Sequence, residues 1–394
     1  MPAPSHSQSR SLHSIQLLRA LAAILVLIGH SLHDSNFIVA KSGGVVPIDA
    51  SFMDYGLGVD IFFVISGFIM LYTTAGKFGT PGAPRQFLIR RLARIAPLYW
   101  LMTTALIAGA FIAPGLLNVP IDGWRSILES YLFIPGLRAN GEVRPILALG
   151  WTLNYEMFFY AFFACCLLLP LKRGLLLLTT LFVGFVIAGA VFPMPTTALA
   201  FWSDSIIFEF LFGVGIAWLL RSGLRISAPA AIAIFLLGAV LAVGLGPLWG
   251  VGNVLPRFIA AGIPAALIVF AAACGPRLPA AWFMAPLILI GDASYSLYLS
   301  HPFAIAPLRN LWMALPVQMP VWTYVVACCV VAILGAIALY WLVERTMVRL
   351  FTDRERGRGD MPQAIPAGVP DRAADQREAL ELFCAWRVQC PLPH

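Results

Sequence analysis

Apolar residues in this chain gather into ten runs, at residues 15–33, 58–75, 97–113, 151–169, 175–192, 204–220, 229–246, 258–274, 285–303 and 321–343. Each is close to the length that an α-helix needs to cross a bilayer, and polar connections separate them. Proline and glycine interrupt several runs, which membrane helices tolerate where neighbours satisfy the freed backbone groups. The pattern predicts an all-α, polytopic membrane protein with about ten transmembrane helices. It divides the chain into an N-terminal segment (1–14), a transmembrane domain (15–350) and a charged, proline-rich tail (351–394). The tail reads as largely disordered and ends in a short amphipathic stretch, REALELFCAWRV. The seventh run has no ionisable residue and reads as scaffold.

Composition agrees with the pattern. In 394 residues, 60% are hydrophobic and 11% charged, with a mean hydropathy of +0.85, far too little charge to cover a soluble core. The first run is not a cleavable signal: it is too long, contains Arg19 and has no small-residue cleavage site behind it. Seven cysteines show neither a disulfide framework nor metal-ligand spacing with histidine, and no metal is expected. The net charge of +7 reports topology. Lys77, Arg85, Arg90, Arg91, Arg94, Lys172, Arg173, Arg221, Arg225 and Arg277 follow even-numbered runs; Arg10 precedes the first run, and Arg345, Arg349, Arg354, Arg356 and Arg358 follow the last. The opposite connections hold only Lys41, Arg125, Arg138, Arg144, Arg257 and Arg309. The positive-inside rule therefore puts both termini in the cytoplasm.

With direction assigned, each ionisable group inside a run acquires a depth. Arg19 begins the first run and His30 lies eleven positions later. At 100° per residue both project from one helical face, about 16 Å apart along the axis. His30, Asp60 of GVDIFFVISGF, Glu156 of WTLNYEMFFY, Glu209 of SDSIIFEFLFG and His301 of GDASYSLYLSHP then fall near one level in the outer half, with Arg257 at the start of the eighth span. Singly, each has a structural reading. Arg19 can snorkel, the carboxylates can cap helix N-termini, and His301 before Pro302 can close a helix end. Together they describe a polar chamber, because ionisable groups inside membrane spans are functional candidates by default.

Before the third span, RQFLIRRLARIAPLYW places Arg91 and Arg94 one helical turn apart. The pair suits phosphate or anionic headgroups, and equally suits simple anchoring at the cytoplasmic face. Residues 114–150 form the longest external connection and read as a lid or a partly re-entrant segment. External aromatics there either stack on sugar faces or anchor at the interface.

These motifs resemble the membrane-bound acyltransferase-3 family from about residue 11 to 350. The resemblance rests on Arg19 and His30 with ten residues between them, GVDIFFVISGF, Arg91-x-x-Arg94 and SYSLYLSHP, in that order. WTLNYEMFFY and GIPAALIV look most like the branch that O-acetylates bacterial exopolysaccharides, succinoglycan among them. No extracellular hydrolase-like domain is fused, and the tail after residue 360 matches nothing in the family.

The resemblance implies transfer of an acyl group, favoured as acetyl, from cytoplasmic acetyl-CoA to a glycan hydroxyl at the outer face of a bacterial inner membrane. Arg91 and Arg94 would hold the phosphates, with Arg19 along the donor's arm and His30 as general base. Asp60 or Glu156 would orient that imidazole, and His301 would be a second catalytic group. Glu209, Arg257 and Trp151 would contact the acceptor, either a glycan or a lipid-linked oligosaccharide. Membrane lipids and polysaccharide assembly machinery are the implied partners, and nucleic acid is not. A proton-coupled transporter using the same buried His, Asp and Glu groups is the rival reading.

Overall fold

A computed structural model describes residues 7–42, 54–112, 121–250, 255–278, 281–314 and 320–349. The expected tail, 351–394, with its terminal amphipathic stretch, lies outside the described residues, as do residues 113–120 of the long external connection. Nearly everything described is helical, and the one β-bridge, Leu137 to Val143, is isolated.

Each of the ten apolar runs falls on a helix or a pair of consecutive helices. Among the described residues, six helices are long and apolar enough to cross a membrane, and a seventh span is made if one bent pair is counted together. The six are α1 (Ser7–Ser42), α2 (Leu57–Thr74), α3 (Ala83–Ile112), α6 (Leu171–Val191), α9 (Ala228–Gly250) and α13 (Val321–Leu339). The bent pair is α11 (Ala285–Asp292) with α12 (Ser294–Ala314), which meet at 70°. Three runs fold into shorter helices: α5 (Trp151–Cys166), α8 (Phe208–Arg221), and α10 (Ile263–Cys274) with the π-turn Phe258–Gly262 before it. Two short helices, α4 (Trp124–Tyr131) and α7 (Thr197–Trp202), lie in connections. The chain is thus a multi-pass membrane protein.

Burial separates an inner set of helices from an outer one. The membrane-length window of α2 is 78% buried within the protein, whereas those of α6 and α9 are 17% and 11% buried. The sequences account for this. α9 is apolar on all sides and can face lipid, while α2 carries Asp60, Ser66 and two glycines that need protein neighbours. The α2–α8 crossing depends on Gly67 and Gly213. A Cβ at Gly67 would collide with the Phe210 carbonyl, and one at Gly213 with the Val64 carbonyl. Two bare backbones therefore meet at the centre of the bundle.

α1 threads this core against α2, α10, α11, α12 and α13. At its far end Asp34 accepts from Arg309 Nη1 at 2.7 Å and from the Tyr324 hydroxyl at 2.5 Å, tying α1 to α12 and α13. At the other end Gln16 Nε2 donates to Asp292 Oδ1 at 2.7 Å. The connection after α4 folds back onto the bundle as a strap. Phe133 packs at a tilt against Tyr99, and Arg138 donates to the carbonyls of Arg144, Pro145 and Ile146. Pro145, Ile146, Leu147 and Leu149 are buried, so the strap delivers backbone carbonyls into the interior.

Candidate active site

The ionisable groups expected in one chamber fall into three adjoining groups. Depth follows from position along a helix, but the partner a side chain meets depends on how the helix is rotated against its neighbours.

The first group surrounds a cavity of about 110 Å³. Arg19 of α1 and Arg91 and Arg94 of α3 line it, with Ser294 and Tyr295 in the first turn of α12. Arg19 donates to Ser294 Oγ from Nε at 3.2 Å and from Nη2 at 2.9 Å. Arg91 reaches Thr73 Oγ1 at 3.4 Å, and its guanidinium carbon stands 5.7 Å from the centroid of the Phe87 ring. None of the three guanidiniums is in an ion pair among the described residues. Among the described residues Glu156 is the one carboxylate lining this cavity, and it is occupied by hydroxyls: Ser66 Oγ at 3.0 Å and the Tyr160 hydroxyl both donate to its Oε1. It lies well inside α5, beyond the first turn in which a helix cap would sit. Three cations and the N-terminus of α12 around one space form an anion-binding environment.

The second group is a histidine pair. The rings of His30 on α1 and His301 on α12 lie 5.0 Å apart, centroid to centroid. His301 is 1% exposed, whereas His30 is exposed. His301 Nδ1 lies 3.1 Å from the Leu297 carbonyl, which can only accept, so Nδ1 carries the proton. Its Nε2 keeps a lone pair that is buried and has no hydrogen-bond partner among the described residues. The helix does not end at Pro302. α12 continues through Pro302 and Pro307 to Ala314, so His301 sits well inside it. Proline removes only one helical N–H here, and packing from neighbouring helices holds the rest.

The third group is self-contained. Arg257 grips Asp60 with two bonds of 2.9 Å, Nε to Oδ1 and Nη2 to Oδ2. Asp60 is fully buried in the first turn of α2, and the Arg257 side chain is 11% exposed. Glu209 on α8, also fully buried, faces this pair and packs on Gly262, where a Cβ would come within 2.9 Å of Glu209 Cγ. The π-turn beginning after Arg257 makes room for this contact. Trp151 belongs to none of the groups. It lies half-buried, edge-on to Phe63 and Tyr155 at 6.4 Å and 6.1 Å.

A defined family pattern, described as an acyltransferase domain, matches residues 12–341. The chain belongs to the acyltransferase-3 family. It is 33% identical to the exopolysaccharide production protein ExoZ of Rhizobium meliloti (strain 1021), over 81% of this chain and 94% of that one. It is 26% identical to a putative membrane-bound transacylase, BcsY, of Komagataeibacter xylinus, over 65% of this chain and 68% of the relative. The peptidoglycan O-acetyltransferase OatA of Listeria monocytogenes serovar 1/2a is likewise 26% identical, over 77% of this chain and 52% of its own. No solved structure matches. As an acyltransferase-3 protein the chain is a membrane-bound enzyme, which decides against the transporter reading. No group of three or more metal-ligating side chains occurs among the described residues.

Several residues of the site give little sign of themselves in the sequence. Ser294 and Tyr298 stand four apart in SYSLYLSHP, with His301 three further on, so all three share one helical face. That spacing is the one signal that could have found them. Ser66 and Tyr160 have none, because a lone hydroxyl in an apolar run reads as ordinary packing.

Proposed function

We propose that this enzyme transfers an acetyl group from acetyl-CoA, on the cytoplasmic side, to a hydroxyl of an extracytoplasmic glycan. The observation that carries the reading is the set of guanidiniums lining one cavity with no ion-paired carboxylate. Such charge inside a membrane domain is costly unless an anion completes it. The relatives named for exopolysaccharide production and peptidoglycan O-acetylation support a glycan acceptor. In this reading all ten runs cross the bacterial inner membrane, both termini are cytoplasmic, and residues 15–350 form the catalytic domain.

Arg91 and Arg94 hold the donor's phosphates in the planar, two-pronged manner that guanidinium allows. The cavity is far smaller than the few hundred cubic ångströms typical of a small-molecule site. It therefore suits the thin arm, with the nucleotide resting outside it. Arg19 steers the arm towards His30, which stands about 16 Å further along α1. His30, the more open imidazole, takes the proton of the acceptor hydroxyl as general base. The acceptor oxygen bonds to the thioester carbonyl carbon, the carbon–sulfur bond breaks, and the His30 proton passes to the departing thiolate. The buried lone pair on His301 Nε2 orients the reacting groups by accepting a hydrogen bond. Arg257, Asp60 and Glu209 fix α2, α8 and the start of α10 around this centre.

Membranes bearing the wild-type protein, mixed with radiolabelled acetyl-CoA, are expected to pass label to glycan. His30→Ala should accumulate normally and lose acylation by at least about a hundredfold, the usual contribution of a general base. Near-normal labelling in that variant would remove His30 as the base.

A further inference from the structure

We propose that the Tyr298 hydroxyl donates a hydrogen bond to the oxyanion formed when the acceptor oxygen adds to the thioester carbonyl. This rests on the transfer chemistry above, with His30 as base. Tyr298 stands at the junction of the two halves of the site. Its side chain lines the arginine cavity. One turn before His301 on α12, its ring also meets the His301 ring edge-on at 6.4 Å. Tyr298 therefore links the arginine cavity to the histidine pair.

The hydrogen bonding around Tyr298 is arranged so that its proton can be released. The Tyr298 hydroxyl lies 3.1 Å from the carbonyl oxygen of Leu149. Thr152 Oγ1 lies 3.1 Å from that same oxygen, and the two hydroxyls are 3.0 Å apart. Leu149 is the end of the buried strap and Thr152 the first turn of α5. One buried acceptor is thus served by two donors. When Tyr298 turns its O–H towards a substrate oxygen, the Leu149 carbonyl keeps its bond to Thr152. No buried acceptor is orphaned, so the turn avoids the penalty that normally locks an interior hydroxyl in place. The ring itself is fixed, since Tyr298 is buried and Phe62 packs edge-on against it at 6.2 Å. A positioned donor that need not be reorganised is what oxyanion stabilisation requires.

The step balances. As the acceptor O–H proton moves to His30, its oxygen pair forms the new C–O bond. The carbonyl π pair moves onto the oxygen facing Tyr298. When the tetrahedral species collapses, that pair re-forms C=O, the C–S bond breaks, and the thiolate takes the His30 proton.

The test compares three variants in membranes, with donor and acceptor titrated separately. Tyr298→Phe should lower kcat about a hundredfold, the usual effect of removing one oxyanion donor. Its donor half-saturation and thermal midpoint should not change. Thr152→Val leaves Tyr298 as the remaining donor on Leu149 and should lower kcat by a smaller factor than Tyr298→Phe. Near-wild-type kcat in Tyr298→Phe overturns the proposal. Equal losses in both variants also overturn it, because hydroxyls that only tie α12 to α5 would be equivalent. A fluorinated tyrosine at 298 keeps the ring and a more acidic hydroxyl, which guards against misfolding of Tyr298→Phe. With it, kcat should stay close to the wild type, and a loss as deep as that of Tyr298→Phe overturns the proposal. His30→Ala is run beside them. If it is inactive while Tyr298→Phe is active, only the oxyanion assignment fails; if His30→Ala is active, the reading beneath it fails as well.

Discussion

Two sets of arginines lie within this helical bundle, and they are treated differently. Arg257 is matched by Asp60 in a two-bond pair, with Glu209 against it. Arg19, Arg91 and Arg94 line a cavity in which the only carboxylate, among the described residues, is already held by Ser66 and Tyr160. The first set is ion-paired inside the protein and joins α2 to the start of α10. The second leaves positive charge directed at an open space beside the N-terminus of α12. A buried guanidinium bonded to its own carboxylate speaks for structure, whereas Arg19 and Arg94 have buried Glu344 within electrostatic reach but outside ion-pair distance, which leaves room for a ligand's anion.

The contrast is broken most severely at Asp60. Asp60→Ala removes both charge-assisted bonds to Arg257, leaving Glu209 as its main counter-charge, and should cost up to about 3–5 kcal/mol of stability, read as a lower thermal midpoint in detergent and less accumulated protein. Joint replacement, Asp60→Leu with Arg257→Met, should recover part of that loss and much of the acylation, because well-packed apolar residues can substitute for a buried ion pair while Glu209 is left without its cation. A double variant as unstable as Asp60→Ala would mean that the pair does more than hold helices together.

The cavity arginines should answer in affinity and leave stability alone. The Arg91→Lys, Arg94→Lys double variant keeps both charges but loses the planar fork. Its half-saturating acetyl-CoA concentration should rise roughly ten- to a hundredfold, equivalent to losing a charge-assisted contact of about 1.5–3 kcal/mol. An unchanged donor dependence would return the pair to membrane anchoring. The smallest effect is expected at His301. Gln keeps a hydrogen-bonding group without the titrating ring, so His301→Gln should slow turnover by no more than roughly tenfold. A variant as inactive as His30→Ala would reverse the ranking of the two histidines.

Much of this architecture is legible in the amino-acid sequence. Hydropathy locates a helix or helix pair under each of the ten runs. It does not show that the run 285–303 bends by 70° at Ala293, since GDAS interrupts the apolar pattern only briefly. Nor does it show that the α-helices α5 and α8 hold only 16 and 14 residues, because an apolar turn after α5 and the 3-10 turn Ser205–Ile207 before α8 extend the runs beyond them. Arg19 and His30 are visible as one helical face. The division of Asp60, Glu156 and His301 among three groups is not, because depth carries no information about helix rotation. The Asp34–Arg309–Tyr324 tie is hidden for a related reason: its three residues come from separate helices and look like ordinary interface polar groups.

Equilibrium binding of radiolabelled coenzyme A to purified protein in detergent tests most directly the claim that the unpaired arginines form the donor site. The wild type and the Asp60→Leu, Arg257→Met protein should bind with similar affinity, while Arg91→Lys, Arg94→Lys should bind roughly ten- to a hundredfold more weakly. Equal binding by the cavity variant, or a loss confined to the Asp60–Arg257 swap, would contradict the account.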